Sequence, residues 1–135
     1  MHNYYDAFLI MLFCGRMFSF GILAITMKIL FVCSVNKQRS KTAEDYFAEK
    51  YQAYKFLSAG TNLRICRKEG TTELTEDLLQ WADAVYVMEQ KHLDQIQKHT
   101  GSKYYSKIRV LDIPDVFKYY DKELIRLLED KLNFS

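Results

Sequence analysis

The chain has only three cysteines, no two of them in a C-x-x-C pair, and it has no run of like charges. An odd number of cysteines at unrelated spacings excludes a disulfide framework, and without a paired thiol motif sulfur-based metal binding has no support. A reducing cytoplasm is the expected compartment. The 19 Lys and Arg and the 17 Asp and Glu are interspersed and leave a formal net charge of +2. No basic patch of the kind that tracks a nucleic-acid backbone results. Internal repeats and low-complexity linkers are missing too, and 135 residues at 49% hydrophobic suit one ordinary globular domain.

The N-terminus is the one compositional anomaly. Residues 7–26 are mostly apolar and, at twenty residues, long enough to cross a bilayer. Arg16 lies near the middle of this run, and a central Arg costs about 2.5 to 3.5 kcal/mol on insertion against roughly 0.3 to 0.6 gained by each Leu, Ile or Phe. No basic segment precedes the run, as a secretory leader requires. It also abuts Met27 without a linker, although residues 28–32 read as a central strand buried on both faces. The expectation is an apolar extension over residues 1–26, without stable membrane insertion, and a single domain over residues 27–135.

From Met27 the pattern alternates strand and helix. Short β-rich runs occupy residues 28–32, 56–59, 84–88 and 108–111. Between them, Ala43, Phe47, Tyr51 and Tyr54 give residues 40–54 the spacing of an amphipathic helix. Thr75 caps a second helix with Glu76 and Asp77 in its first turn, residues 90–99 form a polar third, and Asp121 caps a last one with Leu124, Leu128 and Leu132 on one face. Strands separated by helices imply right-handed crossovers, hence an α/β fold with a four-stranded, mainly parallel sheet and helices on both faces. The ligand crevice of such a sheet lies beyond the C-terminal strand ends. Cys33 follows the first strand, and Asp112 and Asp115 follow the fourth, so all three can face one crevice.

Residues 29–40 read Ile-Leu-Phe-Val-Cys-Ser-Val-Asn-Lys-Gln-Arg-Ser, an apolar strand ending on Cys33 with Arg39 and a helix behind it. That is the layout of a phosphate-binding catalytic loop. The backbone N–H groups of Ser34, Val35, Asn36, Lys37 and Gln38 can turn inward around an anion, and the helix N-terminus adds its positive dipole end. These groups and Arg39 would favour the thiolate of Cys33, which is the nucleophilic form. Arg39 can grip two phosphate oxygens as a planar fork, which Lys cannot do as well. Ser40 can donate its hydroxyl to the sulfur, and Asn36 suits the left-handed backbone position a tight anion loop needs. The bland alternative is a buried cysteine at a strand end beside a surface arginine.

Cys33 to Ser40 resembles the signature of the low-molecular-weight protein tyrosine phosphatases, and the resemblance continues through Ser58-Ala-Gly-Thr61, Ala82-Asp-Ala-Val-Tyr-Val-Met88 and Ile113-Pro-Asp-Val-Phe117. It implies a four-stranded parallel sheet and two-step hydrolysis of phosphotyrosine proteins or small aryl phosphates, with no metal and no cofactor. It also implies a general acid in the loop after the fourth strand. Asp115 fits by standing two residues before Phe117, with Val116 where the family has Pro, and Asp112 is its competitor. Phe117 could wall the pocket and stack on a substrate ring.

The chain departs from the family in having Gln38 where a second loop cysteine is usual, and in a short stretch between Thr61 and Asp83. Two rival functions stay open: a phosphate or phosphopeptide-binding module without turnover, and a thiol-dependent, arsenate reductase-like enzyme using Cys66. Cys66 reads otherwise as an ordinary structural cysteine, Trp81 and Tyr86 as core, and His92 and His99 as solvated groups on a polar helix. Arg64, Arg67 and Lys68 read as a solvated basic loop. No oligomeric state is legible.

Overall fold

The computed structural model describes residues 26–134. The apolar extension expected over residues 1–26 therefore lies, Thr26 apart, outside the described residues. Among the described residues no helix is long and apolar enough to cross a membrane.

Among the described residues, four strands, β1 (Lys28–Cys33), β2 (Lys55–Gly60), β3 (Ala84–Val87) and β4 (Ile108–Val110), are interspersed with five α-helices and one short 3-10 helix (Tyr105–Lys107). The α-helices are α1 (Arg39–Lys50), α2 (Leu63–Glu69), α3 (Glu76–Trp81), α4 (Gln90–Thr100) and α5 (Lys122–Lys131). The sheet has the order β2-β1-β3-β4, and every pairing in it is parallel. This is the expected α/β architecture.

β1 is central and its side chains alternate between two cores, as strand geometry requires. Ile29, Phe31 and Cys33 belong to the core that contains Ala43 and Phe47 of α1 and Leu124 and Leu128 of α5. Leu30 and Val32 belong to the other, with Leu79 of α3 and Leu93 and Ile96 of α4. Helices thus cover both faces. Tyr86 is buried in the first core, and Trp81 packs, partly buried, against the second.

Two local expectations change. α1 stops at Lys50, short of Tyr54, because Tyr51 and Tyr54 leave the helix to pack on Phe134, with ring centroids 5.7 Å away in each case. A helix also forms at Leu63–Glu69, where none was expected. Asn62 caps it by accepting the Ile65 N–H, and Gly70, at φ 74°, ends it in the left-handed conformation.

Candidate active site

The path from β1 to α1 is short, so residues 34–38 must turn sharply, and Asn36 makes the turn at φ 60°. Asn accepts this left-handed conformation more readily than most residues with a side chain. Its amide is then fully used. Nδ2 donates to Ser40 Oγ at 2.9 Å and to Ser58 Oγ at 2.7 Å, while Oδ1 accepts the Thr72 N–H at 3.2 Å. Ser58 in turn donates to Glu44 Oε1 at 2.5 Å. Because Ser40 Oγ accepts from Asn36, its own proton is free for Cys33 Sγ, 2.9 Å away. The Asn36 N–H also points at that sulfur, at 3.3 Å. With Cys33 as the thiolate both bonds run towards sulfur, the arrangement a sulfur anion needs.

The loop is held from behind. Thr61 N–H donates to the Cys33 carbonyl at 2.9 Å and Asn62 N–H to the Ser34 carbonyl at 2.8 Å. The Val35 carbonyl accepts from Thr71 Oγ1 at 2.5 Å and from the Cys66 thiol at 3.3 Å. A peptide unit is planar, with its N–H opposite its C=O. Three carbonyls turned backward therefore turn the N–H groups of Ser34, Val35 and Asn36 forward, as an anion nest requires. The space behind is full: a Cβ on Gly60 would meet Cys66 Sγ at 2.5 Å and the Ser34 carbonyl oxygen at 2.6 Å.

Arg39 is buried at the start of α1. Its Nη1 donates to Glu89 Oε1 and to the Ile113 carbonyl, each at 2.6 Å. Those two bonds use both Nη1 protons and leave Nε and Nη2, the adjacent pair that forms a side-on fork. Arg39 in return holds the Glu89 carboxyl below the usual carboxylate range. Glu89 stands just before α4, where its N–H donates to His92 Nδ1 at 3.0 Å. Nδ1 must then be unprotonated, so Nε2 carries the hydrogen and donates to Ser34 Oγ at 3.0 Å. Burial, followed by the charge of Arg39, lowers the His92 pKa to about 4. His92 is therefore no solvated histidine: the first turn of α4 faces the loop of residues 34–38, and the imidazole is fully buried between them. His99, further along the helix, is exposed as expected.

A crevice of about 310 Å³ opens over this loop, lined by Cys33, Ser34, Val35, Lys37, Gln38, Arg39, Ile65, Glu69 and Asp115. Asp115 is mostly exposed, with Oδ1 3.6 Å from Arg39 Nε. Asp112, at φ 57°, faces a separate recess with Glu89, Gln90, Lys91 and Pro114. Phe117 packs, half-buried, against the core, and Ile65 and Glu69 of the unexpected α2 form the crevice wall instead. Glu44, Ile65, Glu69 and Glu89 carry no expectation in the sequence, and His92 only that of a solvated group. The Glu-x-x-His spacing ahead of an apolar-periodic helix was the available signal for the last two.

No protein-family model matches the sequence, and no curated protein matches it significantly. Solved structures do match. The tyrosine phosphatase Wzb from Escherichia coli K30, in complex with phosphate, superposes with a TM-score of 0.63 at 25% identity, over 79% of this chain and 94% of that one. The chain has the low-molecular-weight protein tyrosine phosphatase fold. Vibrio vulnificus Wzb in complex with benzylphosphonate shares this phosphatase fold, at a TM-score of 0.61 and 21% identity over 78% of this chain and 91% of that one. So does the YwlE arginine phosphatase from Geobacillus stearothermophilus, at 0.58 and 20% identity over 77% and 89%.

Proposed function

We propose that the chain is a phosphatase that hydrolyses phosphotyrosine or other aryl phosphate monoesters through a cysteinyl-phosphate intermediate. One observation carries this reading: Cys33 Sγ receives the Ser40 hydroxyl and the Asn36 N–H in the same crevice as Arg39 and Asp115. A hydroxyl and an amide aimed at a sulfur, beside a guanidinium with two unused donors, suit attack on a phosphoryl group.

In the first step Cys33 sulfur forms a bond to phosphorus as the bond to the aryl oxygen breaks, and Asp115 gives its proton to that departing oxygen. The forward N–H groups and the Arg39 fork take up charge on the three equatorial oxygens. In the second step Asp115, now a carboxylate, takes a proton from water as the water oxygen attacks phosphorus. The sulfur–phosphorus bond breaks, inorganic phosphate leaves, and the Cys33 thiolate returns. Phosphate bound to one Wzb and benzylphosphonate bound to the other fit a site that takes such groups. We place the protein in the cytoplasm and the functional domain in residues 27–135.

The test is steady-state turnover of nitrophenyl phosphate by the full chain and by its Cys33→Ser variant. The variant should lose turnover yet bind vanadate, because the forward N–H groups and Arg39 survive. Turnover that persists in the variant would refute the nucleophile. A protein starting at Met27 should fold and retain the wild-type rate.

A binding module without turnover is favoured by one feature, the exposed Val116 that follows Asp115 in place of a rigid proline. A full chain that binds vanadate but does not hydrolyse aryl phosphates would establish it. Cys66 gives its thiol to the back of the loop, so no observation favours the redox reading.

A further inference from the structure

Lys37 stands at the rim of the crevice with its side chain 59% exposed, and its ammonium lies 2.9 Å from Glu69 Oε1 on α2. Both residues line the cavity that contains Cys33 and Arg39. A carboxylate is out of keeping with an anion site, since it repels the dianion the site is built to receive. Lys37 neutralises it: the hydrogen bond from Lys37, with the further charge of Lys68, holds the Glu69 carboxyl below its usual range. The neighbouring Arg67 is committed elsewhere, to Glu73 at 2.9 Å. An exposed ion pair contributes little net free energy, because water screens it and both long side chains lose freedom. Lys37 can therefore exchange Glu69 for an incoming anion at small cost.

We propose that Lys37 is a second anion subsite beside the reacting phosphate, occupied by Glu69 in the free protein, and that it selects phosphotyrosine peptides with an acidic residue adjacent to the phosphotyrosine. This rests on the phosphatase reading above and names the substrate class of that same crevice. Lys37 sits at the rim rather than buried beside Arg39, so it meets what flanks the ring. The phosphate goes to Arg39 and the loop, and the flanking carboxylate goes to Lys37. Glu69 swings out to solvent, where Lys68 remains near it.

The experiment uses the full chain, nitrophenyl phosphate as a reference, and two phosphotyrosine peptides that differ only in flanking Asp or Asn. The Asp peptide should have the higher kcat/KM at low salt, by less than the three- to fivefold of about one exposed charge pair because Glu69 is displaced, and added salt should shrink the ratio. Lys37→Met should bring the ratio to one or below, and Glu69→Gln should raise it above wild type, to about three- to fivefold. Peptide affinity for the Cys33→Ser form, with and without Lys37→Met, should repeat the same ratios where turnover is too slow to measure. A wild-type ratio of one, or a ratio unchanged by Lys37→Met, overturns the subsite while nitrophenyl phosphate turnover leaves the phosphatase reading standing. If none of the three substrates is hydrolysed, the phosphatase reading falls and the subsite with it.

Discussion

His92 should stay a neutral imidazole down to about pH 4, and folding should lose stability on the acid side of neutrality for that reason. Nδ1 accepts the Glu89 N–H, so a proton there removes the acceptor and places a charge in a buried site near Arg39. A free histidine titrates near 6.5, so between that value and about 4 the unfolded chain binds a proton that the folded one refuses. Stability from this residue is thus fully present above pH 6.5 and is lost as the pH falls through that window. By pH 4.5 the loss from this one group is on the order of 2 to 3 kcal/mol, and it levels off below the folded value. Glutamine is the informative replacement, since its amide can accept from Glu89 and donate to Ser34 without titrating. Urea denaturation of wild type and His92→Gln at several pH values between 4 and 7 would measure the difference, with NMR following the imidazole directly. Wild type should lose on the order of 2 to 3 kcal/mol more than the variant between pH 7 and 4.5. Parallel stability profiles, or an imidazole that titrates near 6.5 in the folded protein, would refute the assignment.

Arg39→Lys should cut kcat for nitrophenyl phosphate by at least about a hundredfold, because an ammonium cannot replace the Nε and Nη2 fork while also holding Glu89 and the Ile113 carbonyl. Asp115→Asn should slow phosphotyrosine far more than an activated nitrophenyl phosphate, by about 10² to 10⁴ where protonation of the leaving group limits the rate. Asp112→Asn should show no such leaving-group dependence, and the reverse pattern would exchange their roles. Asn36→Ala should destabilise the fold by more than about 2 kcal/mol in chemical denaturation, since it strains a left-handed position and strips partners from Ser40, Ser58 and Thr72. It should also lower kcat, because Ser40 loses the donor that aims its proton at Cys33.

Where chemistry depends on neighbours in the chain, the sequence was informative. The strand ending on Cys33, the left-handed Asn36 and an Arg39 that begins the next helix all follow from residues a few positions apart, and the structure places them so. The four strands were legible because β-rich apolar runs lie between helix-period segments, and a sheet buried on both faces leaves few other arrangements. α2 was not legible, because only Cys66 of its seven residues is buried and no apolar stripe marks it. Its caps, Asn62 and Gly70, were the only evidence, and they flank a segment that reads as a charged loop. His92 was misread for a related reason. A polar helix implies solvent along most of its length, yet its first turn docks against a loop more than fifty residues earlier in the chain, and no local pattern records that contact. The rim formed by Ile65 and Glu69 was missed with the helix that carries it.

The central place of β1 has a consequence for motion. Cys33 hangs from a strand paired on both sides, and the backbone that follows it is tied to Thr61 and Asn62. Asp115 belongs to a mostly exposed segment that leaves the buried Ile113, which is tied to Met88 and Arg39, and is held beyond it by Phe117 against the core, the Tyr120 N–H on Thr42 and the Tyr119 hydroxyl on Asp45. On the proposed roles, the half of the site that carries Cys33 can therefore open only with the whole sheet, while the half that carries Asp115 can lift away by releasing fewer contacts. In hydrogen exchange the amides of β1 should outlast those of residues 114–120 by orders of magnitude. A mild denaturant should then detach Asp115, the proposed proton donor, long before it disturbs Cys33, the proposed nucleophile, leaving a protein that still takes up an oxyanion but has lost its preference for poor leaving groups.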